Sequence, residues 1–273
     1  MAKILSFASW NVEHFRGKPE RVDRVVELLD ETDPDVFALY EVYGKDVFQG
    51  LMDKMSTHNF FLTENTRDHD MEILIGFRRS LSVFVTQREE FRSKVPTLRP
   101  GALVTVRRSG KDYMLLFLHA KSFPDPRSWG LRDDMFKHAT SLKRKLDRAS
   151  APDQARYLCL GDLNTMGLNA TYNSLSDLSA EQEIESVTRR FKAARMKRLS
   201  KTHELSWWNG RDNYAPGSQL DHVFADNQLN MKTFAGGAQV QVIGWPEKAT
   251  LSEQRQWIDE YSDHALIYGE IHS

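Results

Sequence analysis

Apolar residues along this chain gather in short runs that stop on a polar side chain. Runs of about four to eight apolar residues bounded by turn formers suit buried strands. Residues 3–10 form the first such run and stop at Asn11; residues 35–40 form the second and stop at Glu41. Strands are also predicted near 59–63, 72–78 and 81–86. A hairpin is predicted to join 102–108 to 112–118 around Arg108-Ser109-Gly110-Lys111, its second arm running into His119. Later strands are predicted over 156–161, 219–225 and 265–271. Helical spacing appears elsewhere. Pro19 opens a helix carrying Val22, Val25, Val26 and Leu29, and Leu131, Met135, Ala139, Leu142 and Leu146 define a long amphipathic one. Helices are further predicted over 44–55, 185–199 and 253–260, the last with Ser252 as N-cap. No repeat, low-complexity tract or domain-sized linker interrupts the pattern, so one domain over residues 1–273 is expected.

The run 157–160 passes through Gly161 into Asp162-Leu163-Asn164. Glycine lets the backbone pass close to another group. Asp162 and Asn164 are two residues apart, so an extended backbone points both the same way. A carboxylate and a carboxamide at the mouth of a buried strand suit a hard metal ion, a water and a phosphate. They equally suit an ordinary Asx turn. Recurrence favours the chemical reading. Asn11, Glu41, His119 and Asp162 with Asn164 follow apolar runs, Asp263-His264 stands beside the last one, and Asp221 lies inside a short late strand. Ends of different strands can converge at one edge of a sheet.

Composition narrows the classes. Forty per cent hydrophobic and 27% charged residues in a chain of 273 are ordinary for a globular protein with an ample core. A net charge of −1 excludes a global basic field, though not a local basic patch. The single cysteine, Cys159, excludes an internal disulfide and a cysteine-rich zinc site, and its apolar neighbours place it in the core. The first apolar run is too short for a signal peptide, and no stretch is long enough to span a membrane. A soluble, cytoplasmic protein with no membrane partner is expected; its oligomeric state stays open.

Six blocks carry a resemblance. They are Ser9-Trp10-Asn11-Val12, Leu39-Tyr40-Glu41-Val42, Leu118-His119-Ala120-Lys121-Ser122, Leu160-Gly161-Asp162-Leu163-Asn164, Gln219-Leu220-Asp221-His222-Val223 and Ser262-Asp263-His264-Ala265-Leu266. In this order they resemble the endonuclease/exonuclease/phosphatase superfamily, the group of deoxyribonuclease I, exonuclease III-type apurinic endonucleases, bacterial sphingomyelinases and inositol polyphosphate 5-phosphatases. The resemblance implies a four-layer α/β sandwich, two packed and mostly antiparallel sheets flanked by helices. It also implies Mg²⁺- or Mn²⁺-dependent hydrolysis of a phosphate ester by an activated water.

Within that resemblance Glu41 is the main metal ligand, with Asn11 and Asp263 beside it. Asn11 either joins the metal's shell or holds a carboxylate in place. Asp162 orients or deprotonates the water, and Asn164 donates to a phosphoryl oxygen. His264 pairs with Asp221 as a proton-handling dyad. His119 matches the subgroup with histidine at this point, whereas exonuclease III-type enzymes tend to carry tyrosine, which argues against a straightforward apurinic endonuclease. His14, His58, His69, His138, His203, His222 and His272 read as structural or solvated. Arg132 reads as solvated, with a phosphate contact as the alternative.

The substrate is read from one segment. Residues 189–201 carry Arg189, Arg190, Lys192, Arg195, Lys197, Arg198 and Lys201 with no acid, and Trp207, Trp208 and Tyr214 follow. Cations beside aromatics suit a groove that tracks a nucleic-acid backbone and stacks bases; a solvated helix face with a tryptophan-anchored loop is the alternative. The leading expectation is a nuclease, DNA favoured, with weak sequence specificity. The alternative is a phosphatase or phosphodiesterase for a small or lipid phosphate.

Overall fold

The structure is a computed structural model that describes residues 2–14, 19–42, 46–64 and 72–273. In chain order its strands and α-helices begin with β1 (Lys3–Asn11), α1 (Pro19–Thr32), β2 (Val36–Val42), α2 (Asp46–Lys54), β3 (His58–Leu62), β4 (Glu72–Arg78) and β5 (Ser82–Arg88). They continue with β6 (Gly101–Arg108), β7 (Lys111–His119), α3 (Pro126–Ala149), β8 (Arg156–Asp162), α4 (Ala180–Lys192) and β9 (Met196–Arg198). The last are β10 (Asp221–Asp226), β11 (Asn230–Met231), β12 (Gln241–Ile243), α5 (Leu251–Glu260) and β13 (Leu266–His272). The chain divides into two compact units that interleave in sequence. His69 and the predicted first residues of the 44–55 helix, Gly44 and Lys45, lie outside the described residues.

The first unit (Met1–Val83, Ser200–Ser218, Asn230–Ser273) is built on a sheet of order β11-β13-β1-β2-β4-β3, with β12 also on β13. β1 and β2 are parallel and joined by α1; the other pairings are antiparallel. Both faces of β1 are buried from Leu5 onward, which is why its sequence reads as a nearly continuous apolar run. The two serines within it are satisfied internally: Ser6 Oγ bonds Asp35 Oδ2 at 2.9 Å and Ser9 Oγ bonds Tyr40 Oη at 3.0 Å. Phe37 pairs across strands with Gly76, where a Cβ would lie 2.2 Å from the Phe37 ring. Only glycine admits that ring.

The second unit (Phe84–Leu199, Gln219–Leu229) carries a sheet of order β5-β6-β7-β8-β10-β9. Here β7 and β8 are parallel and joined by α3, and the β6–β7, β8–β10 and β9–β10 pairs are antiparallel. The predicted hairpin turn holds Ser109 and Gly110 at φ 50° and 74°, as a tight hairpin requires. Phe136, Ala139 and Leu142 of α3 and Val187 and Phe191 of α4 pack with Tyr157, Cys159 and Phe224 of the sheet, so Cys159 is core as expected.

Two predicted elements differ. The helix predicted over 185–199 begins earlier and ends earlier, as α4. Ser179 and Gln182 form a capping box at its start, and Arg195 turns the chain with φ 60° before Met196–Arg198 pairs with β10 as a strand. Phe191 stacks on Phe224 at 4.1 Å, which anchors the end of the helix to that strand pair. Second, α5 is capped by Thr250, whose side chain accepts from Glu253 N, and not by Ser252. Among the described residues no helix is long and apolar enough to cross a membrane.

Candidate active site

Parallel strands joined by a crossover helix bring their C-terminal ends to the same edge of a sheet. Each unit has one such pair, and each carries its own set of polar side chains there.

In the first unit Asn11 lies opposite Tyr40, so Asn11 and Glu41 are neighbours. Asn11 Nδ2 donates to Glu41 Oε1 at 3.1 Å, and Asn11 Oδ1 accepts from Glu13 N at 3.0 Å. The bond to Glu41 is the contact that the carboxylate-holding role of Asn11 requires. Glu41 has φ 60°, at the point where the β2–β4 register shifts between Leu39 and Val42. That irregularity re-aims the carboxylate, a common use of a bulge beside a functional site. His14 Nε2 lies 2.8 Å from Glu41 Oε2, so His14 belongs with this set rather than with the structural or solvated histidines.

The segment before β13 is pinned to the end of β1. Ser262 Oγ donates to Asn11 O at 2.7 Å and accepts from His264 N at 3.1 Å, while Trp10 Nε1 donates to His264 O at 2.8 Å. Asp263 Oδ2 accepts from Trp207 Nε1 at 2.9 Å. Its other oxygen, Oδ1, is buried with no hydrogen-bond partner among the described residues. Burial pushes the Asp263 carboxyl up to about 6, with the Glu13 and Glu41 carboxylates adding to the rise, while His264 and the Trp207 bond oppose it. Carboxylates crowded so that one resists ionisation, plus an orphaned buried oxygen, fit a hard divalent cation. Glu41 and Asp263 would hold it, whereas the Glu13 carboxylate is paired with Arg21 Nη2 at 3.3 Å.

In the second unit His119 lies opposite Asp162 on the parallel pair, with His119 Nε2 3.4 Å from Asp162 Oδ2. Asp162 also lies opposite Asp221 on the antiparallel side, and carboxylate oxygens of the two come within 4.8 Å. Both are almost wholly buried. Asn164, at φ 50°, folds back so that its own N–H donates to Asp162 Oδ1 at 3.2 Å. This is the Asx turn, and it coexists with the chemical reading: Asn164 Nδ2 donates to Ala120 O at 3.1 Å and keeps a second hydrogen for another acceptor. Thr165 Oγ1 donates to Gln219 O at 2.8 Å and lies 2.9 Å from His222 Nε2, fastening the loop after β8 to the entry of β10.

Several substrate expectations change. Trp208 is buried, donates Nε1 to Arg211 O at 2.9 Å and packs on Trp245, so its faces are not offered to a base. Trp207 is half-buried and positions Asp263. Arg190 is engaged with Asp133, and Arg198 donates to Gln219 Oε1 at 3.3 Å. Arg189 is exposed and Lys197 half-buried. Arg132 is neither solvated nor poised for a phosphate: it is fully buried and paired with Glu183. Glu13, His14, Ser262 and Thr165 were not predicted. Glu13 and His14 directly follow the Asn11 block, and that adjacency was the available signal.

The sequence model described as the Endonuclease/Exonuclease/phosphatase family matches residues 8–264. Among curated proteins none matches the sequence. Truncated Caenorhabditis elegans TDP2 is similar in structure, with 16% identity, a TM-score of 0.69 and 98% of both chains covered. D. rerio TDP2 complexed with single strand DNA product has 18% identity and a TM-score of 0.61, over 98% of this chain and 99% of that one. The 3' phosphatase NExo from Neisseria bound to product DNA hairpin has 14% identity and a TM-score of 0.65, over 98% of this chain and 100% of that one. At these identities the likeness shows the fold, the expected α/β sandwich class.

Proposed function

Since the chain belongs to the endonuclease/exonuclease/phosphatase family of phosphoesterases, we propose that it is a divalent-metal-dependent hydrolase of DNA phosphoesters with weak sequence preference. The carrying observation is the acidic set around Glu41, in which Asp263 is buried, pushed up to about 6 and left with an unpartnered oxygen. A bound Mg²⁺ or Mn²⁺ supplies charge neutralisation at the phosphate and an activated water.

The remaining roles belong to the chain's own side chains. Asn11 holds Glu41 in place through Oε1. Asp162, steadied by the Asn164 N–H and by His119, orients the water and takes its proton. The second hydrogen of Asn164 Nδ2 meets a phosphoryl oxygen. His264, with its backbone pinned by Trp10 and Ser262, handles a proton or contacts the phosphate. DNA is favoured because two similar folds were solved with DNA product. Arg189, Lys197 and Arg198 are the candidates from the basic segment for backbone contacts.

The test is a panel of single-stranded DNA, duplex DNA, RNA and small phosphate esters with Mg²⁺ or Mn²⁺. Metal-dependent cleavage of DNA supports the proposal. Hydrolysis confined to small esters replaces it with the small-phosphate alternative, and no metal-dependent hydrolysis of any of them rejects both.

A further inference from the structure

The loop that follows His119 presents a side chain that folding alone would not place there. Phe123 is 60% exposed and has φ 80°, a backbone conformation that costs an aromatic residue free energy. The conformation is enforced from inside the second unit. Arg132 Nη1 donates to the carbonyls of Lys121 at 3.0 Å and Phe123 at 2.7 Å, and the Phe123 N–H donates to Met166 Sδ at 3.2 Å. Arg132 is itself held by Glu183, whose Oε2 also accepts from Gly167 N at 2.7 Å. The loops after β7 and β8 are further joined by Asn169 N donating to Pro124 O at 2.7 Å. A strained, exposed phenyl ring on so rigid a mount is a presented surface.

Its surroundings are cationic. The Lys121 ammonium stands 4.8 Å over the Phe123 ring. Burial lowers the Lys121 pKa, and Arg99, Arg132 and Arg127 lower it further against the single opposing charge of Asp125. Arg132 is consumed by Glu183, while Arg127 is exposed. The patch begins two residues beyond His119. A concentration of cations beside an open aromatic face matches the backbone and base of a single nucleic-acid strand.

We propose that Lys121 and Phe123, with Arg127, form a subsite that binds the nucleotide flanking the scissile phosphoester of a DNA strand. Phe123 stacks on the base and the cations take the neighbouring phosphate. This subsite rests on the nucleic-acid reading above and lies outside the 189–214 segment that the sequence favoured.

The experiment measures anisotropy of a fluorescein-labelled oligo-dT of about 15 nucleotides, in EDTA and across salt concentrations, together with cleavage of that oligonucleotide and of bis-p-nitrophenyl phosphate in Mg²⁺. Phe123→Ala and Phe123→Leu are expected to raise Kd about tenfold, and Phe123→Trp to restore it. Lys121→Ala should reduce the salt slope by about one. Oligonucleotide kcat/KM should fall far more than that of the small ester. Phe123→Gly should raise the unfolding midpoint while weakening binding, because it releases the backbone strain. Wild-type affinity in Phe123→Leu, or a lowered midpoint in Phe123→Gly, would mean that the ring packs rather than stacks and would overturn the subsite alone. Wild-type protein that hydrolyses the small ester but binds no oligonucleotide would overturn the subsite together with the nucleic-acid reading.

Discussion

Arg132 and Glu183 meet as a two-bond fork inside the second unit, Nε to Oε1 at 3.0 Å and Nη2 to Oε2 at 3.0 Å, with both side chains almost wholly buried. The remaining guanidinium hydrogens reach the carbonyls of Lys121, Phe123 and Gly167. One ion pair thus ties α3 and α4 to the loops that follow His119 and Asn164. Removing one partner of such a pair strands a buried charge, at about 3–5 kcal/mol. Arg132→Leu is expected to lose that much stability in urea unfolding. Arg132→Lys should recover little, because an ammonium lacks the planar fork. A loss under about 1 kcal/mol in Arg132→Leu would show that water reaches the pair.

Glu41→Gln removes an anionic oxygen while keeping the Asn11 contact geometry nearly intact. Weaker Mg²⁺ binding by calorimetry and a large loss of phosphodiester hydrolysis are expected, since the cation's charge is then poorly matched. Excess chelator should abolish wild-type hydrolysis. Full activity in chelator would exclude a metal-dependent mechanism.

His264→Ala is expected to lower kcat by at least about a hundredfold, with a smaller effect on KM, if the imidazole handles a proton or stabilises the phosphate. Its backbone contacts to Trp10 and Ser262 survive the substitution, so the fold should persist. A near wild-type kcat would assign the role to another residue, with His119 next in line.

His58 supplies a pH dependence away from the site. It is buried, with Nε2 3.0 Å from Pro34 O and Nδ1 3.1 Å from Thr57 Oγ1. The neutral ring satisfies both by donating from Nε2 and accepting at Nδ1. Burial holds its pKa below the ordinary histidine value, and Arg78 adds to the depression. The unfolded chain therefore binds the proton more readily. The stabilisation is complete above the unfolded pKa of about 6.5 and is lost as pH falls through the lower folded value, by at most about 1.4 kcal/mol per pH unit. Urea midpoints measured from pH 8 to pH 5 should drop less steeply in His58→Gln than in wild type. Parallel acid limbs would show that His58 does not contribute.

The longer strands, and the polar residue at or near the exit of several of them, were legible in the chain, because a buried strand writes itself as an apolar run and its exit as a break; the short β9, β11 and β12 were not. Asn11, Glu41, His119 and Asp162 were found that way. The α4 boundaries were not, because the cations of 189–198 keep helical spacing through a turn that Arg195 makes in the left-handed region. What those cations face, and that Trp208 is buried while Phe123 is exposed, was decided by long-range packing. Local sequence cannot tell a solvated arginine from Arg132, whose partner Glu183 lies 51 residues away. Nor can it show that Asn11 and His14 both reach Glu41: pairing β1 beside β2 in parallel brings those positions together. Residue types and their order set which chemistry was available, and strand register and burial decided which side chains are free to perform it.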